Sequence, residues 1–243
     1  PAINPAPRRM IEAEIGAIAA RHGAPGDVDI TLSIPGGEDM AAKTANGRLG
    51  ILGGLSVLGT TGIVKPYSCS SWICSIHSGI DVARAEGFPH IAAATGSTSE
   101  RAVQDMYGLI EAALIDMGDF AGGVLKYLRR NPVPWLTLAG GFAKLAKLGD
   151  GHLDLHSARS RVDIKVLAGL LQAAGGAPDM VAKAEAAVSA GEVLMLAGKA
   201  APALADAVAN RALAVALKTV GGGIKIDVAV FDRTGKLIGH AGP

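Results

Sequence analysis

The chain has 243 residues with a formal net charge of +1 and only 19% charged residues, so it lacks the basic excess that marks a nucleic-acid-binding domain. Hydrophobic residues make up 49%, yet no uninterrupted apolar run reaches the roughly 18 to 20 residues that span a bilayer. The length suffices for one large α/β domain or two smaller ones, and the expectation is a cytoplasmic protein with neither nucleic acid nor membrane as partner.

The chain begins at Pro1 rather than Met, which leads us to expect that its natural N-terminus lies upstream. Asn4, Pro5 and the apolar positions Met10, Ile11, Ile15 and Ile18 predict a capped amphipathic helix that ends over His22 to Gly26. Val28, Ile30, Leu32 and Ile34 alternate with polar residues and predict a half-buried strand, stopped by Pro35-Gly36-Gly37. A short helix over Glu38 to Thr44 then leads to the stretch Gly50 to Gly62, which packs five glycines and three hydroxyl side chains between apolar residues. Glycine at that density suggests backbone in close contact with a ligand, or a kinked crossover between packed elements. The stretch matches neither a P-loop nor a clean G-x-G-x-x-G turn.

Further along, Ser68 to Glu86 predicts a helix, and Cys69 and Cys74 within it read as buried or half-buried thiols rather than a disulfide or a metal pair. His90 to Ala94 predicts a short buried strand, and Ser97 with Glu100 a capping box opening the next helix, to about Ala113. Leu114 to Met117 predicts an edge strand, followed by a helix ending near Arg130. Trp135 to Leu138 gives another strand. From Arg161 to Lys218 the pattern is helical, with Ser160 and Asp163 as a second capping box. Ile224 to Val230 then alternates as a strand, and Leu237-Ile238 returns as a hairpin after a turn at Asp232 to Gly235.

This order predicts an α/β fold, a mostly parallel or mixed sheet covered by helices in three α/β/α layers, with an N-terminal α+β remnant over residues 1–47 and the main domain over 48–243. Ligands in such sheets gather at the carboxyl ends of strands, so the turns Thr95 to Glu100, Gly118-Asp119 and Gly140 to Lys144 are expected to share one rim. Thr95, Gly96 and Ser97 supply hydroxyls and amide donors at a helix start, where an anion is favoured. Asp116 and Asp119 flank Met117-Gly118 at the end of a predicted strand, where a carboxylate either accepts the hydroxyls of a ribose or is a solvated turn residue, and Asp119 sits better for the cleft. The most polar region runs from Lys144 through His152, Asp154, His156 and Arg159 to Asp163. His156 there suits proton transfer or substrate hydrogen bonding, because imidazole titrates near neutrality. No third ligand accompanies His152 and His156, so no metal site is expected.

Taken in order, Pro1-Ala-Ile-Asn-Pro-Ala-Pro-Arg-Arg-Met-Ile, Ser33-Ile-Pro-Gly-Gly-Glu, the segment Arg48 to Val64, Thr95-Gly-Ser-Thr-Ser-Glu, Met117-Gly-Asp-Phe, Gly141-Phe-Ala-Lys-Leu-Ala-Lys-Leu, His156-Ser-Ala-Arg-Ser and Val230-Phe-Asp-Arg-Thr-Gly resemble the CbiD-type cobalt-precorrin-5B (C-1)-methyltransferases. The chain is similar to the C-terminal portion of that family, with Asn46-Gly47-Arg48 where the family typically has Asn-Pro-Arg. The resemblance implies transfer of a methyl group from S-adenosylmethionine to C-1 of a cobalt-containing corrinoid precursor, giving cobalt-precorrin-6A on the way to cobalamin. It implies a cofactor site at Gly50, Gly53, Gly54, Ser56, Gly59, Thr60, Thr61, Gly62, Thr95, Gly96, Ser97 and Asp119, substrate contacts at Lys144 and Arg159, and His156 as the catalytic candidate. A homo-oligomer or a further N-terminal domain stays open. The competing readings are a nicotinamide-dependent oxidoreductase and a non-catalytic tetrapyrrole-binding fragment.

Overall fold

The computed structural model describes residues 2–44, 46–59 and 68–243. Packing divides the chain into two compact units, Pro1–Ser71 and Trp72–Pro243.

In the first unit, helix α1 (Pro5–His22) carries Pro in its first turn, where a missing N–H costs nothing, and ends on Gly23 in the left-handed conformation. Asn4 precedes it but makes no side-chain cap; its backbone N–H instead donates to the Val57 carbonyl at 2.9 Å. A short helix α2 spans Gly37–Ala41. The expected strand over Val28 to Ile34 does not form: the segment is unpaired, and Val28, Ile30, Leu32 and Ile34 are all exposed. Alternation makes a strand only when a neighbour completes its ladder, and none of the described residues pairs with this one. Among the described residues this unit buries Gly37 and Asn46 and no large apolar side chain.

The second unit holds the core. Helix α3 (Cys69–Ala85) buries Ile76, Ile80 and Ala83, while Cys69 and Cys74 are exposed, against expectation, because both lie off that apolar stripe. The strands are β1 (His90–Ala94), β2 (Leu114–Asp116), β3 (Trp135–Gly141), β4 (Lys225–Phe231) and β5 (Leu237–Ala241). Their order is β2-β1-β3-β4-β5, with the first four parallel and β5 antiparallel to β4. This is the mostly parallel, mixed sheet of the expected α/β fold. β1 is fully buried and, after His90, built from Ile and Ala, as suits a strand covered on both faces.

Successive strand residues face opposite layers. Ile91, Ala93, Leu136, Leu138, Ile226, Val228 and Val230 pack into the larger core. There they meet α3, α5 (Ala121–Leu128), α6 (Phe142–Gly149), α7 (Ile164–Ala173) and α10 (Ala201–Val220). Ala92, Ala94, Ala139, Ala229 and Phe231 face the other way, against α4 (Ser97–Tyr107). Small side chains on that face let a single helix approach closely. The stretch Gly198–Val220 is long and apolar enough to cross a membrane by length and composition alone, but α10 within it buries Leu204, Ala205, Val208, Ala209, Ala212, Ala216 and Val220 in the core. α8 (Pro178–Glu185) and α9 (Ala190–Leu196) complete the helical stretch between β3 and β4.

Two caps differ from expectation. Gly96 precedes α4 and Ser97 is its first helical residue, so the box of Ser97 and Glu100 is out of register, and Ser99 Oγ donates back to the Gly96 carbonyl at 2.9 Å. At α7 the cap is Asp163 itself, whose carboxylate accepts from the N–H groups of Lys165 and Val166, while Ser160 Oγ donates to the His156 carbonyl. α4 also stops earlier than predicted, at Gly108 in the left-handed conformation.

Candidate functional site

In a parallel sheet the crossover from β1 leads to β2 on one side, and the next leads to β3 on the other. The two chains leaving β1 and β3 therefore diverge, and a crevice opens beyond their carboxyl ends. A cleft of about 1220 Å³ occupies this position. Its floor is Thr95 to Ser99 after β1 and Gly141 to Lys144 after β3; its other walls are Ser189 to Met195 of α9 and its approach, and Phe231 to Thr234 after β4.

The floor is tightly joined. A Cβ on Gly140 would come within 2.9 Å of the Thr95 side chain, so only glycine lets the two strand ends lie side by side. Thr95 N donates to the Ala139 carbonyl at 2.9 Å. Lys144 Nζ donates to the Thr95 carbonyl at 2.8 Å and lies 3.2 Å from Asp119 Oδ1, drawing the turn after β2 to the same rim. The three turns expected to share a rim are thus brought together. α4 opens there at Ser97, so the amides of its first turn have no acceptor within the helix and face the cleft end. Phe142, Leu194, Met195, Phe231 and Ile238 make the remaining wall apolar.

Asp119 is committed to Lys144 and does not itself line the cleft. His156 and Arg159 lie outside the lining too, in the exposed loop between α6 and α7. That loop is stitched to the rim by Leu155 N on the Asp119 carbonyl, Gly122 N on the Leu153 carbonyl, and Lys147 Nζ on the Leu155 carbonyl, all 2.8 Å. His156 Nδ1 accepts from Ala158 N at 3.2 Å, which leaves the proton of the neutral ring on Nε2. Arg159 pairs with Asp154 at 2.7 Å. Burial works to raise the Asp154 carboxyl, but Arg159 and the His156 N–H outweigh it and hold it below the usual range.

The glycine segment lies in the first unit. Gly53 and Gly54 have positive φ, +79° and +154°, and line a groove of about 580 Å³ with Ser33, Ile34, Gly36, Gly37 and neighbouring residues. Buried Asn46 organises the segment: its Nδ2 donates to the Gly54 carbonyl, and its Oδ1 accepts from Ser56 Oγ at 3.4 Å. Gly50, also at positive φ, ends a turn of 3₁₀ helix, and Gly59 sits past the groove's lining. Thr60, Thr61 and Gly62 lie outside the described residues.

Sequence reasoning placed no ligand contact on α9 or on the turn after β4. The available signal was indirect: a turn following a parallel strand shares the carboxyl rim, but only the strand order shows that β4 lies beside β3.

The CbiD family model matches residues 1–66, and that of the CbiD C-terminal domain matches residues 154–242. A protein of Bradyrhizobium sp. is 57% identical over 99% of this chain and 64% of its own length. One of Paramagnetospirillum magneticum is 55% identical over 99% of this chain and 67% of its own length. The chain belongs to the CbiD family. Both relatives, and one from Burkholderia multivorans at 52% identity, carry the name cobalt-precorrin-5B C(1)-methyltransferase. This CbiD chain spans about two thirds of the length of the curated relatives it matches, 64% of the first of them. No solved structure matches it.

Proposed function

We propose that this chain carries the methyl-transfer site of a cobalt-precorrin-5B C(1)-methyltransferase, and that the cleft beyond β1 and β3 holds the methyl donor against the macrocycle. One observation carries the reading: three turns from adjacent strands converge on a cleft of about 1220 Å³, larger than the roughly 300–1,000 Å³ typical of a single small-molecule pocket. Such a space suits two ligands brought together. S-adenosylmethionine bound there would supply an electrophilic methyl on a sulfonium, the ring carbon C-1 would supply the electron pair for the new C–C bond, and the pair of the broken S–C bond would leave on S-adenosylhomocysteine.

The chain's own residues orient and desolvate. Thr95, Gly96, Ser97 and the free amides opening α4 receive the donor's polar groups, and Asp119, held by Lys144, sets the rim on the ribose side. The apolar wall excludes water and covers the flat macrocycle. His156 and Arg159, in the loop outside the cleft lining, are assigned to a part of the macrocycle that reaches beyond the cleft, with the Nε2 proton of the neutral His156 ring as the hydrogen-bond donor. Holding two reactants in line lowers the barrier without a nucleophilic side chain. The glycine segment of the first unit, with a groove of its own, is the second and separately testable part of this reading.

Incubation of the protein with labelled S-adenosylmethionine and cobalt-precorrin-5B should give methyl incorporation. Consumption of a reduced nicotinamide, or binding without turnover, would replace this reading with an oxidoreductase or a carrier. Gly54→Val should weaken S-adenosylmethionine binding; unchanged affinity by calorimetry removes the glycine segment from the donor site.

A further inference from the structure

Four charged residues line the cleft, and three already have their charged atoms engaged. Lys144 is held by Thr95 and Asp119. Glu192 Oε2 accepts from the Val188 N–H at 2.9 Å, one residue before Ser189, the cap of α9, whose Oγ accepts from the Glu192 N–H. Asp232 Oδ1 accepts from Thr234 N at 2.8 Å, Thr234 Oγ1 at 2.7 Å and Lys236 N at 3.0 Å. The fourth, Arg233, is exposed and has no charged partner among the described residues.

Its mount is nevertheless rigid. Asp232 and Lys236 close the hairpin turn through the Asp232 N–H and the Lys236 carbonyl at 2.9 Å, and Gly235, at φ +87°, seats the turn against Thr98 and Ala102 of α4. The bonds from Thr234 and Lys236 keep the Asp232 carboxyl below the ordinary range, so the turn is locked at neutral pH. A guanidinium is therefore presented at the cleft edge, beside the apolar wall of Phe231, Ile238, Leu194 and Met195. An apolar wall with an uncommitted guanidinium carried at its edge on a braced turn matches a ligand with a flat apolar face and carboxylates on its periphery.

We propose that Arg233 is a specificity-determining residue that pairs with a peripheral carboxylate of the macrocyclic substrate. This rests on the reading of the cleft given above. The methyl donor also has a carboxylate, but the α4 amides already offer that group donors, whereas the acetate and propionate arms of a corrinoid lie on the periphery of its ring, the part that a residue at the cleft's edge would meet.

Calorimetry on the full chain separates the two sources, with cobyrinic acid, its heptamethyl ester and S-adenosylhomocysteine as probes. Arg233→Gln should weaken cobyrinic acid binding about tenfold or more, the scale of a charge-assisted bidentate pair, and leave the ester and S-adenosylhomocysteine unaffected. Arg233→Lys should recover part of the loss. Unchanged melting temperatures will show that the turn stays folded. Equal binding of cobyrinic acid by wild type and Arg233→Gln overturns the proposal, as does a parallel loss of S-adenosylhomocysteine, which would assign the arginine to the donor. If cobyrinic acid binds in an arginine-dependent way while S-adenosylhomocysteine does not bind at all, the proposal stands and the donor reading falls; if wild type binds neither, both fall.

Discussion

Lys144 Nζ reaches back from α6 to the Thr95 carbonyl at 2.8 Å, so one side chain bridges the ends of β1 and β3 where the sheet's connections diverge. The same ammonium lies 3.2 Å from Asp119 beyond β2, and three strand ends are thus gathered by one charge.

Lys144→Met removes this tie. The side chain is about a third exposed, at 36%, so the ion pair adds only about 0.5 kcal/mol to stability and the melting temperature should barely move. The rim, however, loses its alignment, and a misplacement of such a site costs far more in function than in stability. S-adenosylhomocysteine affinity, measured by calorimetry, should drop about tenfold.

A different polar cluster works at the opposite end of the strands. Asp227, fully buried, accepts from Trp135 Nε1 and Tyr107 Oη, both at 2.6 Å, and from Thr137 Oγ1 at 2.7 Å, with His240 Nε2 at 3.2 Å. These donors come from α4, β3 and β5, so the carboxylate clasps the single helix on that face to the sheet. Burial and the bond to Asp227 push the Tyr107 hydroxyl well above the ordinary phenol range, so it remains a donor throughout the pH range in which the protein is handled. Asp227→Ala should cost about 3–5 kcal/mol in urea unfolding, because it strands buried donors, and Tyr107→Phe about 1.5–3 kcal/mol.

His90 adds a pH dependence to this cluster. Its ring stacks on Trp135 at 3.7 Å and bonds Thr137 Oγ1 at 2.7 Å. Burial lowers its pKa, nearby Asp227 opposes the shift, and Lys225 adds to it. Since the folded value lies below the ordinary 6.5, the unfolded chain takes up a proton first as pH falls. This contribution to stability is present above 6.5 and is lost as pH drops below it towards the folded value. The urea midpoint should therefore decline between pH 7.5 and about 5.5, and His90→Gln should flatten that slope.

Close packing sets another limit. A Cβ on Gly239 would fall 2.5 Å from the Ala205 carbonyl carbon, and backbone cannot yield as a side chain does. Gly239→Ala should force α10 away from β5 and cost about 3 kcal/mol. Gly141 has φ −73° and open space at its Cβ, so Gly141→Ala should stay within about 0.5 kcal/mol by the same measurement.

The sequence by itself determined the buried strands, the helices between them and the terminal hairpin. Ile91 to Ala94 is apolar throughout, Ile226 to Val230 is apolar but for Asp227, and a segment of that kind has little choice but the centre of a covered sheet. Its distinctive segments, the glycine block above all, also pointed to the CbiD family, because long ordered motifs need no contacts to be recognised. Local pattern failed where a partner decides the outcome. Val28 to Ile34 alternates as a strand does, but no described residue pairs with it. Cys69 and Cys74 sit on a helix whose buried stripe runs elsewhere, and Ser97 enters α4 one residue later than a cap would. Only the tertiary structure set β4 beside β3, and so brought Arg233 and the approach to α9 to the cleft. Strand order depends on how distant segments share one core. A residue's neighbours along the chain carry no record of it.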